Sequence, residues 1–248
     1  MSILTFKIIS IFLILLVAFL GGRGAFKVKG SKNSTLYFSL GNTFAAGIFL
    51  GAGLIHMLPD ATQGFSEVID SDFPFAPFIA ALGFLLILFI EKIMANGKNI
   101  NSYPYILIVI LSIHSIIAGI ALGTENHIAQ SIVIAIVVLA HKGSAAFALA
   151  ISMIKSQLEK NKIIKMIILF SFMTPLGIVI GTIISNLLSS TASEFSIAMF
   201  DALAAGTFFY IAIMEIFHDE FQDKNNLYLK FFMSMLGVLF MALLAVWL

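Results

Sequence analysis

Residues Ile110–Gly123 read ILSIHSIIAGIALG, a run that is apolar throughout except for one histidine and two serines. Its surroundings decide how to read it, because the rest of the chain is much the same. Of the 248 residues, 60% are hydrophobic and 11% charged, and the mean hydropathy is +1.06. Globular domains average about 45–50% apolar and 25% charged residues, so this excess has no soluble core to fill. Nearly uncharged runs of about 18 residues or more are the mark of bilayer-spanning helices. Eight such segments follow one another, near 3–20, 35–58, 74–94, 103–123, 127–154, 163–187, 196–217 and 227–248. The fold expected is all-α: a polytopic protein of eight transmembrane helices, one domain in a lipid bilayer, with connections too short for a soluble insert. The first run has no A-x-A site and is read as an anchor rather than a cleaved leader.

Several function classes drop out early. There are no cysteines, hence no disulfide or thiolate chemistry. A net charge of +1 with no long basic tract gives nucleic acid nothing to bind. No G-x-x-x-x-G-K-[ST] loop is present for ATP, and no H-E-x-x-H pattern supports a hydrolytic metal enzyme, so an enzyme is not expected.

Charge sets the orientation. Arg23, Lys27, Lys29, Lys32, Lys92, Lys98, Lys155, Lys160, Lys162, Lys165, Lys224 and Lys230 all fall in alternate connections or beside them. The other connections carry Asp60, Glu67, Asp70, Asp72, Glu125, His127 and Glu194. Lys7 is the only basic residue on that acidic side. The positive-inside rule then places both termini outside the cytoplasm, in what is expected to be the plasma membrane. Four of the five prolines (Pro59, Pro74, Pro77, Pro104) lie at segment ends, and Pro175 lies inside segment six.

An internal similarity accompanies this topology. AAGIFLGAGLIHMLPD (Ala45–Asp60) aligns without gaps on AAGTFFYIAIMEIFHD (Ala204–Asp219), with His56 opposite Glu215. The two segments run in opposite directions through the membrane, the pattern of an inverted-topology repeat. Five identities among sixteen apolar-rich positions leave chance as the alternative.

The histidine of the opening stretch, His114, stands at the midpoint of segment four, and His141 at the midpoint of segment five. The two segments are antiparallel neighbours across a tight loop. At 1.5 Å per residue each imidazole is about 15 Å from either surface, too deep to snorkel. One such histidine could simply hydrogen-bond a neighbouring helix. Two at matching depth favour a cavity or path, and neutral imidazole is a common ligand for divalent transition metals. Lys142, beside His141, would oppose a second dication. Glu125 is eleven residues after His114 and returns to the same helix face. His56 and Asp60 are spaced i,i+4 at the outer end of segment two, with Pro59 a candidate turn between them. Glu215, His218 and Asp219 cluster at the inner end of segment seven, and Asp201 lies near its outer end. Solvated capping is the alternative for each end-positioned acid. Together they trace an outer mouth, a central pair and an inner exit. Pro175 removes one ladder bond, so the Ser171 carbonyl or the Thr174 hydroxyl is a candidate lining group, with a plain kink the alternative.

FAAGIFLGAGLIHMLPDA, HSIIAGIALG, HKGSAAFALA, MTPLGIVIG and AAGTFFYIAIMEI resemble, in this order, helices two, four, five, six and seven of the ZIP family of zinc and iron transporters. The likeness is greatest to the animal-type branch with His-Lys in its fifth helix. It implies eight helices, inverted three-helix repeats around a central helix pair, and divalent metal moving into the cytoplasm, with a homodimer left open. Zinc is the substrate it implies first, with Fe2+, Mn2+ or Cd2+ as alternatives and no resident cofactor. By the same likeness His114, Ser115 and His141 form the central metal site, and Lys142 stands where two-metal members carry an acid. The chain departs from the family at Ala118, where many members carry glutamate, at Ala145, whose glutamate the His-Lys branch often lacks too, and at Thr174, where some members carry glutamate. Those losses keep a second function in view, a non-transporting ZIP-like metal sensor or subunit.

Overall fold

The computed structural model describes residues 2–95, 103–187 and 190–247, and Lys98 lies outside the described residues. Eight helices have the length and hydropathy to cross a membrane. They are α1 (Ile3–Lys29), α2 (Ser34–Val68), α3 (Phe75–Ala95), α4 (Tyr103–Thr124), α5 (Ile128–Lys155), α6 (Lys160–Leu187), α7 (Glu194–Gln222) and α8 (Leu227–Trp247). No strand occurs among the described residues. In hydrocarbon a backbone amide has no partner but its own helix. α1 runs on through Gly21 and Gly22 to Lys29, past the expected limit near residue 20. α2 continues through Pro59, which stands in the first turn after its π turn, to Val68 instead of turning there.

α4 forms the centre. Of its apolar window 72% is buried inside the protein, against 22% for α1, α3 and α8, whose outer faces present Phe12, Leu16, Phe89, Phe231 and Leu243 to lipid. α4 packs chiefly along α6, α1 along α5, α2 along α8, and α3 along α7. These contacts are made backbone to backbone. A Cβ on Gly119 would overlap the Thr174 carbonyl oxygen, and one on Gly123 would overlap that of Ile178. Small residues of this kind let membrane helices approach closely enough for dispersion to hold them.

Two of these contacts repeat one another. Gly47 of α2 lies against the Ser234 carbonyl of α8, and Gly237 lies against that of Phe44. In α7, Gly206 lies against the Ala80 carbonyl of α3, and Gly83 against that of Leu203. The alignment of Ala45–Asp60 on Ala204–Asp219 pairs Gly47 with Gly206 and, carried back one residue, Phe44 with Leu203. Phe49 and Phe208, also paired, stack face to face with centroids 5.1 Å apart and an interplanar angle of 18°.

Each of these two helices also contains one π turn, at Ala52–Met57 in α2 and Ile211–Phe217 in α7. Here the backbone bonds span five residues, from the Leu58 amide to the Gly53 carbonyl and from the His218 amide to the Ile213 carbonyl. Ala52 and Ile211, which open the turns, stand opposite one another in the alignment. Single π turns inside α-helices occur often at functional sites.

Two buried lysines close helix ends. Lys7 of α1 donates to the Gly123 carbonyl at 2.6 Å, in the last turn of α4. Lys230 of α8 donates to the Glu220 and Asp223 carbonyls at 2.7 and 2.8 Å, at the end of α7. Both ammonium groups satisfy carbonyls that a helix C-terminus leaves unpaired. Lys7 and Lys230 therefore serve helix ends, and neither is a freely solvated loop charge.

Candidate metal pathway

His114 and His141 meet in the middle of the bundle. Each is 2% exposed, and their ring centroids are 5.7 Å apart in an edge-to-face arrangement. The Phe208 ring lies against both, with centroids 3.8 Å from His114 and 4.6 Å from His141. His114 Nδ1 is 2.6 Å from the Thr207 hydroxyl, which donates its own proton to the Ala204 carbonyl at 2.7 Å. In that arrangement Thr207 accepts from the imidazole, with the hydrogen on Nδ1 and the lone pair on Nε2, the division of labour of a metal-ligating histidine. Nε2 is buried and has no hydrogen-bond partner, and the same holds for His141 Nδ1.

Lys142 turns away from this pair. Its ammonium donates to Ser115 Oγ at 2.9 Å and to the Phe170 carbonyl at 3.3 Å, and it lies 3.7 Å from the centre of the Phe170 ring. A buried cation is tolerable only when its donors are used, and one hydroxyl, one carbonyl and a ring face supply that. Ser115 is thereby engaged by Lys142. Thr174 is buried, its carbonyl against Gly119.

On the acidic side, a cavity of about 470 Å³ is lined by Asp60, Glu67, Glu125, His127, Glu194 and Asp201, among others. Glu125 accepts from the His127 amide and imidazole at 2.6 and 3.1 Å. Below lies a gap of about 10 Å³ bordered by His56, Asp60, Asp201, Ala118 and Val137. Because α2 stays helical through Pro59, His56 Nδ1 lies 3.4 Å from Asp60 Oδ2. On the lysine-rich side, a cavity of about 160 Å³ is lined by Asn42, Leu107, Ala148, Lys155, Glu215 and Asp219, with Glu220 beside them.

The histidine pair separates these spaces. Ala118 and Val137 are four residues from His114 and His141, about 6 Å along their helices. Leu107 and Ala148 are seven residues away on the other side, about 10.5 Å. The three groups thus follow one another in depth along α4 and α5, and are called the line below. The alignment also relates its two ends: carried back three residues, it pairs Asn42 with Asp201. His56, Asp60 and Asp201 at the outer gap then stand opposite Glu215, Asp219 and Asn42 at the inner cavity.

His218 is not part of this line. It borders an apolar groove with Phe217, Phe231 and Met235, and its Nε2 is 2.7 Å from Gln222 Nε2. The π turn explains the difference: the wider winding at Ile211–Phe217 brings Glu215, Asp219 and Glu220 to the cavity and carries His218 off that face. Glu220 itself had no signal beyond its neighbours. It accepts from Ser39 at 2.5 Å, Asn42 at 2.7 Å and Lys155 at 2.8 Å, tying α7 to α2 and α5. Among the described residues, no three His, Asp or Glu side chains converge on one point. The polar groups at the centre are the two imidazoles.

The chain matches a family of known sequences. The pattern described as "ZIP Zinc transporter" matches residues 4–104 and 95–245. Zinc transporter ZIP1 of Takifugu rubripes is 26% identical over 285 residues, covering 95% of this chain and 94% of its own. Zinc transporter ZIP1 of Homo sapiens is 27% identical over 254 residues, covering 84% and 78% respectively. Zinc transporter ZIP2 of Homo sapiens is 24% identical over 257 residues, covering 82% and 83%.

Proposed function

The chain belongs to the ZIP zinc transporter family, and from that premise we propose that it carries zinc, or a similar divalent cation, from the acidic face to the lysine-rich, cytoplasmic face. The observation that carries the reading is the buried pair His114 and His141, with the lone pair of His114 Nε2 held free by Thr207. Metal gathers at the outer cavity, where Asp60, Glu125 and Asp201 supply oxygen donors. It passes His56 and Asp60 and is received between the two imidazoles. Zinc takes about four ligands, so water completes the set there. The ion leaves past Glu215 and Asp219. Two nitrogen donors with exchangeable water suit transit better than trapping, because conduction requires a site that also releases.

Lys142 works beside this site without entering it. An amine held there opposes a second dication near the first, which favours one metal at a time. The paired contacts Gly47–Ser234 and Gly206–Ala80, the stacked Phe49 and Phe208 and the two aligned π turns support an inverted repeat, in which the outer and inner donor groups are equivalent stations.

The test is uptake by cells expressing His114→Ala/His141→Ala, with surface abundance measured in parallel. Zinc uptake is expected to fall to background while the protein still reaches the membrane. Undiminished uptake in the double variant would reject the central pair. Flux into liposomes holding the purified wild-type chain separates transport from sensing: metal entry no faster than into empty vesicles favours a sensor, a reading that Ala118 and Ala145 keep open.

A further inference from the structure

At the lysine-rich face, between α1 and α6, a cavity of about 250 Å³ is lined by Phe19, Arg23, Phe26, Lys27, Lys160 and Ile167, with Ile164 completing the wall. It lies apart from the metal line and shares no residue with it. Phe19, Arg23, Phe26 and Lys27 follow the i, i+4, i+7, i+8 spacing of one helix face, and Lys160 and Ile167 stand seven residues apart on α6. Phe19 is about 12 Å deeper than Lys27 along α1. The cavity is therefore cationic at its rim and apolar toward the membrane.

Among the described residues, no carboxylate lies within ion-pair distance of those cations. Lys92, Lys155 and Lys230 on the same face each reach a carboxylate, at 3.1, 2.8 and 3.6 Å. Arg23, Lys27 and Lys160 make no ion pair or hydrogen bond to any described residue. Lys160 also opens α6, a 28-residue helix whose first amides and dipole favour an anion. A free phosphate would engage the rim alone and leave Phe19, which is 39% exposed, uncovered. A phospholipid matches both halves, with its phosphate among three cations and an acyl chain along Phe19 and Ile167. We propose that this cavity seats the headgroup of an anionic phospholipid from the leaflet at the lysine-rich face. Basic pockets between transmembrane helices are a recurrent solution for such lipids.

The lipid would bridge α1 and α6, two helices whose other contacts hold α5 and α4. This proposal stands whether or not the chain moves metal. The test uses the purified full-length protein in nanodiscs containing phosphatidylglycerol and phosphatidylcholine, with retained lipid counted by native mass spectrometry. Arg23→Gln/Lys27→Gln/Lys160→Gln is compared with Lys29→Gln/Lys32→Gln/Lys165→Gln, which removes the same charge from the same face outside the cavity. The single variant Arg23→Gln is measured alongside. A cation near an anionic membrane surface contributes about fivefold in affinity, so the cavity variant should hold phosphatidylglycerol about a hundredfold more weakly. Arg23→Gln should lose about fivefold, and the control triple should keep the wild-type preference. Equal loss in both triples would reduce the site to diffuse surface charge and overturn the proposal. Displacement of the lipid by excess inorganic phosphate would overturn the lipid as occupant, and so would equal retention of phosphatidylcholine.

Discussion

Replacing Thr207 by valine probes the centre without touching a ligand. Valine keeps the shape of threonine, and position 207 is fully enclosed, so packing changes little. What disappears is the acceptor 2.6 Å from His114 Nδ1. The imidazole then has two choices. It can keep its hydrogen on Nδ1, buried and unbonded, at a cost of about 1–3 kcal/mol. Or it can move the hydrogen to Nε2 and lose the lone pair that receives the metal. Where the hydrogen moves, binding must restore the first form, so the site weakens by up to that cost, about fivefold to a hundred-and-fifty-fold in affinity. Mutations of groups that orient metal-ligating histidines span about 10–100-fold, in agreement. The assay is zinc uptake against external concentration, corrected for surface protein. The half-saturating concentration should rise by that factor in Thr207→Val and return toward wild type in Thr207→Ser, which restores the hydroxyl. A wild-type half-saturation in the valine variant would refute the role given to Thr207 and the tautomer deduced from it.

Glu220→Gln should lower thermal stability in detergent by about 1–3 kcal/mol. It weakens three charge-assisted contacts, while the half-exposed Lys155 limits what the ion pair itself adds; an unchanged unfolding midpoint would remove Glu220 as a tie between α7, α2 and α5. Gly119→Ala should destabilise by about 1–3 kcal/mol, because the new methyl group meets backbone atoms of α6 that cannot rotate away. Gly24→Ala meets only the Phe147 ring at 3.8 Å and should leave the melting curve where it was. Equal behaviour of the two alanine variants would mean that α4 and α6 are not held by close approach.

Much of the architecture was legible because lipid leaves few choices. Eight apolar runs become eight helices, and matching depth on antiparallel neighbours was enough to bring His114 and His141 together. Contacts distant in sequence were hidden. Thr207 is 93 residues from His114, and its hydroxyl looks like any other small polar group in a helix. The Phe170 carbonyl that receives Lys142 has no signature either, although Pro175 drew attention to the neighbouring Ser171. Nor does spacing announce that Ser115 accepts from Lys142 of α5. Regular α-helical spacing at the end of α7 puts His218 beside Glu215. The sequence carries no mark of the wider turn, so the face it exposes could be found only from the backbone.

That wider turn makes the composition of the path a question of phase. One residue of α-helix is about 100° of rotation. Were Ala52–Met57 or Ile211–Phe217 to wind as regular α-helix with no residue removed, the extra residue that each π turn absorbs would go into rotation. Every side chain beyond would swing by roughly that angle: Asp60 away from the outer gap in one case, Asp219 away from the inner cavity in the other. No charge or donor would be lost from the chain, yet one end of the line would present hydrocarbon to a hydrated ion.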